Sequence, residues 1–139
     1  MDILSSRTLL RPADLERTLA FYRDGLGLAV AREFGDGDHR GTVFFAGGGF
    51  IEVSGAGPAP GRPGMALWLQ VRSMDETTAG LARRGVDLAR GPRREPWGLV
   101  EAWVDDPDGV RIHLVEVPDD HPIRRDTRPA TGPGVAPGG

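Results

Sequence analysis

The stretch Glu95-Pro-Trp-Gly-Leu-Val-Glu-Ala-Trp-Val-Asp-Asp-Pro-Asp-Gly-Val-Arg-Ile-His-Leu-Val-Glu116 decides the fold. It reads as two strands joined by a tight turn. In Asp106-Pro107-Asp108-Gly109 the proline presets φ at about −65° and the glycine tolerates a positive φ, the chemistry of a type I or II turn. Residues 99–104 and 110–117 are rich in β-branched and aromatic side chains and have ordinary strand lengths. Trp97 stands just before the hairpin, and His113 lies mid-strand.

Upstream of the hairpin, residues 65–72 read as a strand, and Ser73 with Glu76 forms a capping box for a helix to Arg84. Gly85 closes that helix. A short strand from Val86 and a loop containing Pro92 and Pro96 lead back to the hairpin. The first half follows the same plan. Residues 7–11 form a strand stopped by Pro12, and Asp14 N-caps a helix with Leu15, Leu19, Tyr22 and Leu26 on one face. Three strands follow, at 28–34, 42–46 and 50–54, the first two separated by the polar loop Gly35-Asp-Gly-Asp-His-Arg-Gly41.

Strand-helix-strand-strand-strand therefore occurs twice. The two caps fall 59 positions apart, and Glu52 and His113, in the last strand of each half, fall 61 apart. Such a period marks a duplicated unit. The expected organisation is a βαβββ module at 1–54, a Gly/Pro linker at 55–64, a second module at 65–117 and a Pro/Gly-rich tail at 118–139.

Composition limits the chemistry. A chain of 139 residues that is 39% hydrophobic and 27% charged is long enough for a real core. The absence of cysteine removes disulfides, thiolate metal sites and cysteine nucleophiles. No leader-like N-terminus and no long apolar run is present, so a cytoplasmic protein without membrane contact is expected. A net charge of −3 argues against nucleic acid and is compatible with a cationic ligand. No nucleophilic triad, phosphate loop or zinc-type histidine pair is available from His39, His113 and His121.

The opening Leu10-Arg-Pro-Ala-Asp-Leu-Glu-Arg-Thr-Leu-Ala-Phe-Tyr-Arg-Asp-Gly-Leu-Gly-Leu28, together with Pro96-Trp-Gly98, Asp106-Pro-Asp-Gly109 and Ile112-His-Leu-Val-Glu116, resembles the vicinal oxygen chelate superfamily. That superfamily includes glyoxalase I, extradiol dioxygenases and bleomycin resistance proteins. The resemblance spans residues 5–117. It implies an α+β fold of two βαβββ modules whose cupped mixed sheets carry helices on their outer faces.

In metal-dependent members each half supplies two ligands, one from its first strand and one from its last. The matching positions here are Arg7, Glu52, Ala66 and His113. Ala66 has no donor atom and Arg7 repels a cation. A catalytic divalent metal needs about three protein ligands, so no metal and no other cofactor is expected. Arg7, Glu52 and His113 are left as a charged network inside the cup or as direct ligand contacts.

Bleomycin resistance proteins carry aromatics in the cup instead. Alternation along residues 66–71 places Leu67, Leu69 and Val71 toward the helix and Trp68 on the other face. Trp68 in Trp68-Leu-Gln-Val-Arg-Ser-Met-Asp-Glu76 and Trp97 in Glu95-Pro-Trp-Gly98 resemble the two indoles of those proteins, and Phe34 and His39 resemble a pair of hairpin aromatics. His39 departs from the aromatic pattern. Trp103 is assigned to core or interface, and Asp36, Asp38, Glu95 and Glu101 are read as acids able to attract a basic drug.

The expected function is sequestration of a flat heteroaromatic or cationic antibiotic, without catalysis, by Arg7, Phe34, His39, Glu52, Trp68, Trp97 and His113. The alternative is a lyase or dioxygenase acting on a small oxygenated substrate, with Glu52 or His113 as general base in a metal-independent version. Bleomycin resistance proteins form twofold dimers with two shared grooves, so the resemblance implies a homodimer.

Overall fold

Each half of the chain folds into a four-stranded mixed sheet with a helix against it. The computed structural model describes residues 5, 7–57 and 65–122; most of the expected linker, 58–64, and the tail from 123 lie outside the described residues. In the first half, β1 (Arg7–Leu10), β2 (Val30–Phe34), β3 (Gly41–Ala46) and β4 (Gly49–Ser54) stand in the order β1-β4-β3-β2. In the second, β5 (Ala66–Gln70), β6 (Arg90–Arg94), β7 (Val100–Asp105) and β8 (Arg111–Glu116) repeat it as β5-β8-β7-β6. Strands β1 and β4, like β5 and β8, pair in parallel, and the remaining neighbours are antiparallel. The period of about 60 residues is thus a repeat of topology.

The helices start where their caps place them. Asp14 accepts the Arg17 N–H at 3.1 Å at the start of α1 (Leu15–Ala20), which runs on into a π-helical turn, Phe21–Gly25. Ser73 accepts the Glu76 N–H at 3.2 Å before α2 (Met74–Arg83). Both side chains satisfy a backbone donor that has no partner in the first helical turn. No helix among the described residues is long and apolar enough to cross a membrane.

One core joins the two modules. Leu10, Phe44, Ile51 and Val53 of the first sheet and Leu67, Ala102, Val104, Ile112 and Leu114 of the second belong to the same buried cluster, with Leu19, Tyr22, Met74 and Leu81 from the helical segments. These strand residues alternate along the chain, so one face of each sheet is turned to the shared core. The faces carrying Leu9, Phe45 and Trp68 are left outside it, each about half exposed.

Polar contacts lock the modules in register. The turn Asp106–Gly109 closes with the Gly109 N–H on Asp106 O at 3.0 Å. It docks on the start of α1, where Asp108 accepts from the Ala13 N–H at 3.1 Å and the Thr18 hydroxyl at 3.3 Å. Asp106 accepts the Tyr22 hydroxyl. On the opposite side, Arg84 Nε donates to Gly25 O at 2.8 Å.

The region before the hairpin departs from expectation. Val86 and Leu88 pack on the core as loop residues, and the strand begins later, at Arg90, with Pro92 inside it. Proline is tolerated because β6 is an edge strand: it pairs only with β7, and its register slips between Arg90 and Arg93. Strand β2 likewise starts at Val30 and not at residue 28.

Candidate functional site

On the first sheet the outward side chains centre on Glu52. Arg7 donates to Glu52 Oε1 at 2.8 Å, while Arg11 and the Ser54 hydroxyl donate to Oε2 at 3.2 and 2.7 Å. Burial alone would raise this carboxyl, but the hydrogen bonds from Ser54, Arg7 and Arg11 outweigh it and hold Glu52 below its usual range. Phe45 and Phe50 pack beside this cluster with ring centres 5.6 Å apart. Phe34 closes the far edge against Gly41, where a Cβ would meet Ser54 Cβ at 2.5 Å and the Phe34 ring at 2.6 Å. Arg32 stands over the Phe34 ring. His39 is exposed in a short 3-10 turn, Gly37–His39.

On the second sheet, strand register aligns Trp68, His113, Trp103 and Arg90 across β5, β8, β7 and β6, all on the outward face. Trp68 is 50% exposed. Trp97, in the β6–β7 turn, is 59% exposed, and its Nε1–H donates to Glu101 Oε2 at 2.7 Å. The other oxygen of Glu101 lies 3.3 Å from His113 Nδ1. Glu101 is only 5% exposed. One buried carboxylate therefore ties an exposed indole to the strand histidine.

Trp103 lies on this outward face and not in the core. The Arg90 guanidinium sits 3.9 Å from its ring centre and that of Arg111 4.7 Å, with the His113 ring at 5.4 Å. Arg111 is paired to Asp105 at 2.5 Å, and Arg90 and Arg93 to Glu95 at 2.5 and 3.2 Å. Desolvation opposes ionisation of Glu95, but the hydrogen bonds and charges of Arg93 and Arg90 prevail and lower its pKa. Glu95 and Glu101, expected as solvated acids available to a basic drug, are buried and already paired.

The sequence pattern carried a signal for Glu101 and Trp103 that was not used. In Glu101-Ala-Trp-Val-Asp105 the small apolar Ala102 and Val104 alternate with Glu101, Trp103 and Asp105, so period two already sorts them onto the face of His113. Phe45 was missed because its neighbour Phe44 is equally apolar; only the structure shows that Phe44 is buried and Phe45 is 51% exposed.

The expected site residues are divided between the two sheets. Arg7, Phe34, His39 and Glu52 belong to the first module, and Trp68, Trp97 and His113 to the second. Strand β1 pairs only with β4 and β5 only with β8, so no strand ladder among the described residues joins the two outward faces. Between the modules lies a cleft of about 800 Å³, lined on one side by Leu28 and Phe45 and on the other by Trp68, Val71, Leu81 and Arg84.

The four positions that the fold implies for a metal do not fit one. Ala66 lacks a donor, both Glu52 oxygens are occupied by guanidinium or hydroxyl donors, and His113 points one ring nitrogen at Glu101. Among the described residues, no group of three or more histidine, aspartate or glutamate side chains could hold a metal ion.

A family model described as the glyoxalase/bleomycin resistance protein/dioxygenase superfamily matches residues 5–114. The chain belongs to this superfamily. A curated relative, lactoylglutathione lyase of Salmonella typhimurium, is 28% identical over 81% of this chain and 91% of its own. Among solved structures, a superfamily member from Sphaerobacter thermophilus is 26% identical, with a TM-score of 0.68 over 84% of this chain and 98% of that one. A glyoxalase-related enzyme from Fulvimarina pelagi, 23% identical, matches in fold with a TM-score of 0.65 over 85% of this chain and 90% of its own.

Proposed function

We propose that the protein binds and sequesters a flat heteroaromatic small molecule of the antibiotic type, at grooves shared between two copies of the chain. The observation that carries this reading is the pair of indoles Trp68 and Trp97, each about half exposed, Trp68 across from His113 and Trp97 hydrogen-bonded to the buried Glu101, which also faces His113. Each stacked aromatic pair contributes about 0.5–1.5 kcal/mol beyond area burial. The cationic variant of the ligand rests on Asp36 and Asp38 alone.

The placement of the residues supports sharing between two chains. The face bearing Phe34, Phe45 and Glu52 and the face bearing Trp68, Trp97 and His113 lie outside the one core that joins the modules. A twofold partner would bring the first face of one chain against the second face of the other and create two identical grooves. Tryptophan fluorescence titration with polycyclic and glycopeptide antibiotics, with and without divalent metal, tests the reading. Saturable quenching that is indifferent to metal is expected; no response across the panel overturns it.

The lactoylglutathione lyase relative favours a second reading, a lyase acting on a small oxygenated substrate. In its metal-dependent form that reading requires ligands that the chain does not offer at Arg7 and Ala66. Glyoxalase activity abolished by a chelator would establish it over the first.

A further inference from the structure

Arg84 fastens the two modules with one nitrogen and leaves the others unspent. Its Nε donates to Gly25 O at 2.8 Å. The guanidinium lies between two glycines. A Cβ on Gly27 would sit 3.8 Å from its Cζ, and one on Gly80 would sit 3.0 Å from Nη1 and 3.2 Å from Nη2. The group is thus held from both modules at once. Nη1 and Nη2 have no hydrogen-bond acceptor among the described residues, and no carboxylate among them pairs with Arg84. Asp24, next to Gly25 in the chain, is paired with Arg23.

Arg84 lines the cleft of about 800 Å³ between the modules, a volume within the range of about 300–1,000 Å³ typical of small-molecule sites. The walls are apolar, with Leu26, Leu28 and Phe45 on one side and Trp68, Val71 and Leu81 on the other. Strand β5 is a sheet edge, so side chains of both its faces reach the cleft, Trp68 from the outward face and Val71 from the core face. Arg72, just ahead of the α2 cap, lines the cleft as well and has no partner among the described residues. Among the described residues no aspartate or glutamate lines it. A chain of net charge −3 therefore encloses a cleft whose charged side chains are both cationic. Apolar walls beside a fixed fork of two unspent N–H groups suit a ligand with a flat apolar body and a planar anionic head.

We propose that this cleft is a second binding site, for an aromatic carboxylate whose ring lies against the apolar walls while its carboxylate takes the Nη1 and Nη2 donors of Arg84. Arg72 stands at the opposite end of α2, a helix of 10 residues and so about 15 Å long. It adds positive potential to the cleft without sharing the carboxylate. The cleft is formed within one chain and meets the groove between two copies only at Phe45 and Trp68. Arg84 belongs to the cleft alone, so this proposal and the antibiotic reading stand or fall separately.

The pair 2-naphthoate and 2-naphthamide tests this, since the two share a ring system and differ in charge. Calorimetry with the full chain at neutral pH should show the carboxylate binding about tenfold or more tighter than the amide, the scale of a charge-assisted contact. Arg84→Gln should bring the two affinities within about threefold of each other. Thr77→Glu sets a carboxylate in the cleft without touching the bond to Gly25, and it should close the gap in the same way. Arg94→Gln removes an exposed arginine outside the cleft and should leave both affinities unchanged. Equal affinities in wild type, or binding of neither compound, overturns the proposal. A gap that survives Arg84→Gln overturns it too. Should that variant fail to fold for want of the Gly25 bond, a gap that survives Thr77→Glu does the same. An equal loss in Arg94→Gln also overturns it, because the protein would then be responding to its net charge and not to this cleft.

Discussion

The hydroxyl of Tyr22 donates to Asp106 Oδ2 at 2.8 Å across 84 positions of chain, joining the first helix to the turn of the last hairpin. Both residues are buried. Asp106 Oδ1 meanwhile accepts from the backbone N–H of Asp108 and Val110 at 2.8 and 2.9 Å. One carboxylate thus shapes its own turn and fastens that turn to the other module.

Tyr22→Phe removes one donor and leaves a buried carboxylate oxygen without it. The expected loss is about 1–2 kcal/mol in urea unfolding. Desolvation raises the Asp106 carboxyl, outweighing the hydrogen bonds from Val110, Tyr22 and Asp108. A raised pKa means that stability from this group is complete below the ordinary aspartate value, about 3.9, and is lost as pH rises through the folded value. Asp106→Asn should flatten that limb of the stability profile; an unchanged profile would show that Asp106 does not titrate there.

Glu52 has the opposite sign. Its pKa is lowered, so its contribution is complete above the ordinary glutamate value, about 4.3, and is lost as pH falls through the folded value. Glu52→Gln should cost about 1–2 kcal/mol at neutral pH, since its charged partners Arg7 and Arg11 are partly exposed. The difference from wild type should shrink in acid. A constant difference across the range would mean that Glu52 acts only by packing.

Trp68→Ala and Trp97→Ala should each weaken binding of a confirmed ligand by about 1–3 kcal/mol, with the fold retained by circular dichroism. Trp97→Phe keeps a ring but loses the hydrogen bond to Glu101, so it should bind less tightly than wild type and better than Trp97→Ala. Wild-type affinity in both alanine variants would place the ligand elsewhere.

Elemental analysis of dialysed protein should find no stoichiometric zinc, nickel, manganese or iron. The reason lies in the side chains: Ala66 offers no donor, and the Glu52 oxygens are engaged by Arg7, Arg11 and Ser54. About one metal per chain would contradict this.

In solution the chain should be a homodimer with an interface above about 2,000 Å². Sedimentation equilibrium at micromolar concentration measures it directly, and Leu9→Asp, placed on the outward face where Leu9 is half exposed, should shift the mass toward the monomer. A monomeric wild type would remove the shared groove.

The sequence alone determined most of the elements and their duplication. Caps at Asp14 and Ser73, the Asp-Pro-Asp-Gly turn and period-two alternation act through neighbours in the chain, so they are legible without tertiary structure. Alternation also sufficed to put Trp68 opposite Leu67 and Leu69. The metal ligand positions could be judged from residue types alone, because Ala66 has no donor in any conformation. Only tertiary structure decided that Pro92 sits in a strand, since that depends on β6 lying at a sheet edge, and that Glu95 and Glu101 are buried partners and not solvated acids. A carboxylate's state is set by what surrounds it in space. Glu101 became the link because Trp97, folded back from the turn four residues before it, and His113, on the neighbouring strand β8, both reach its carboxylate.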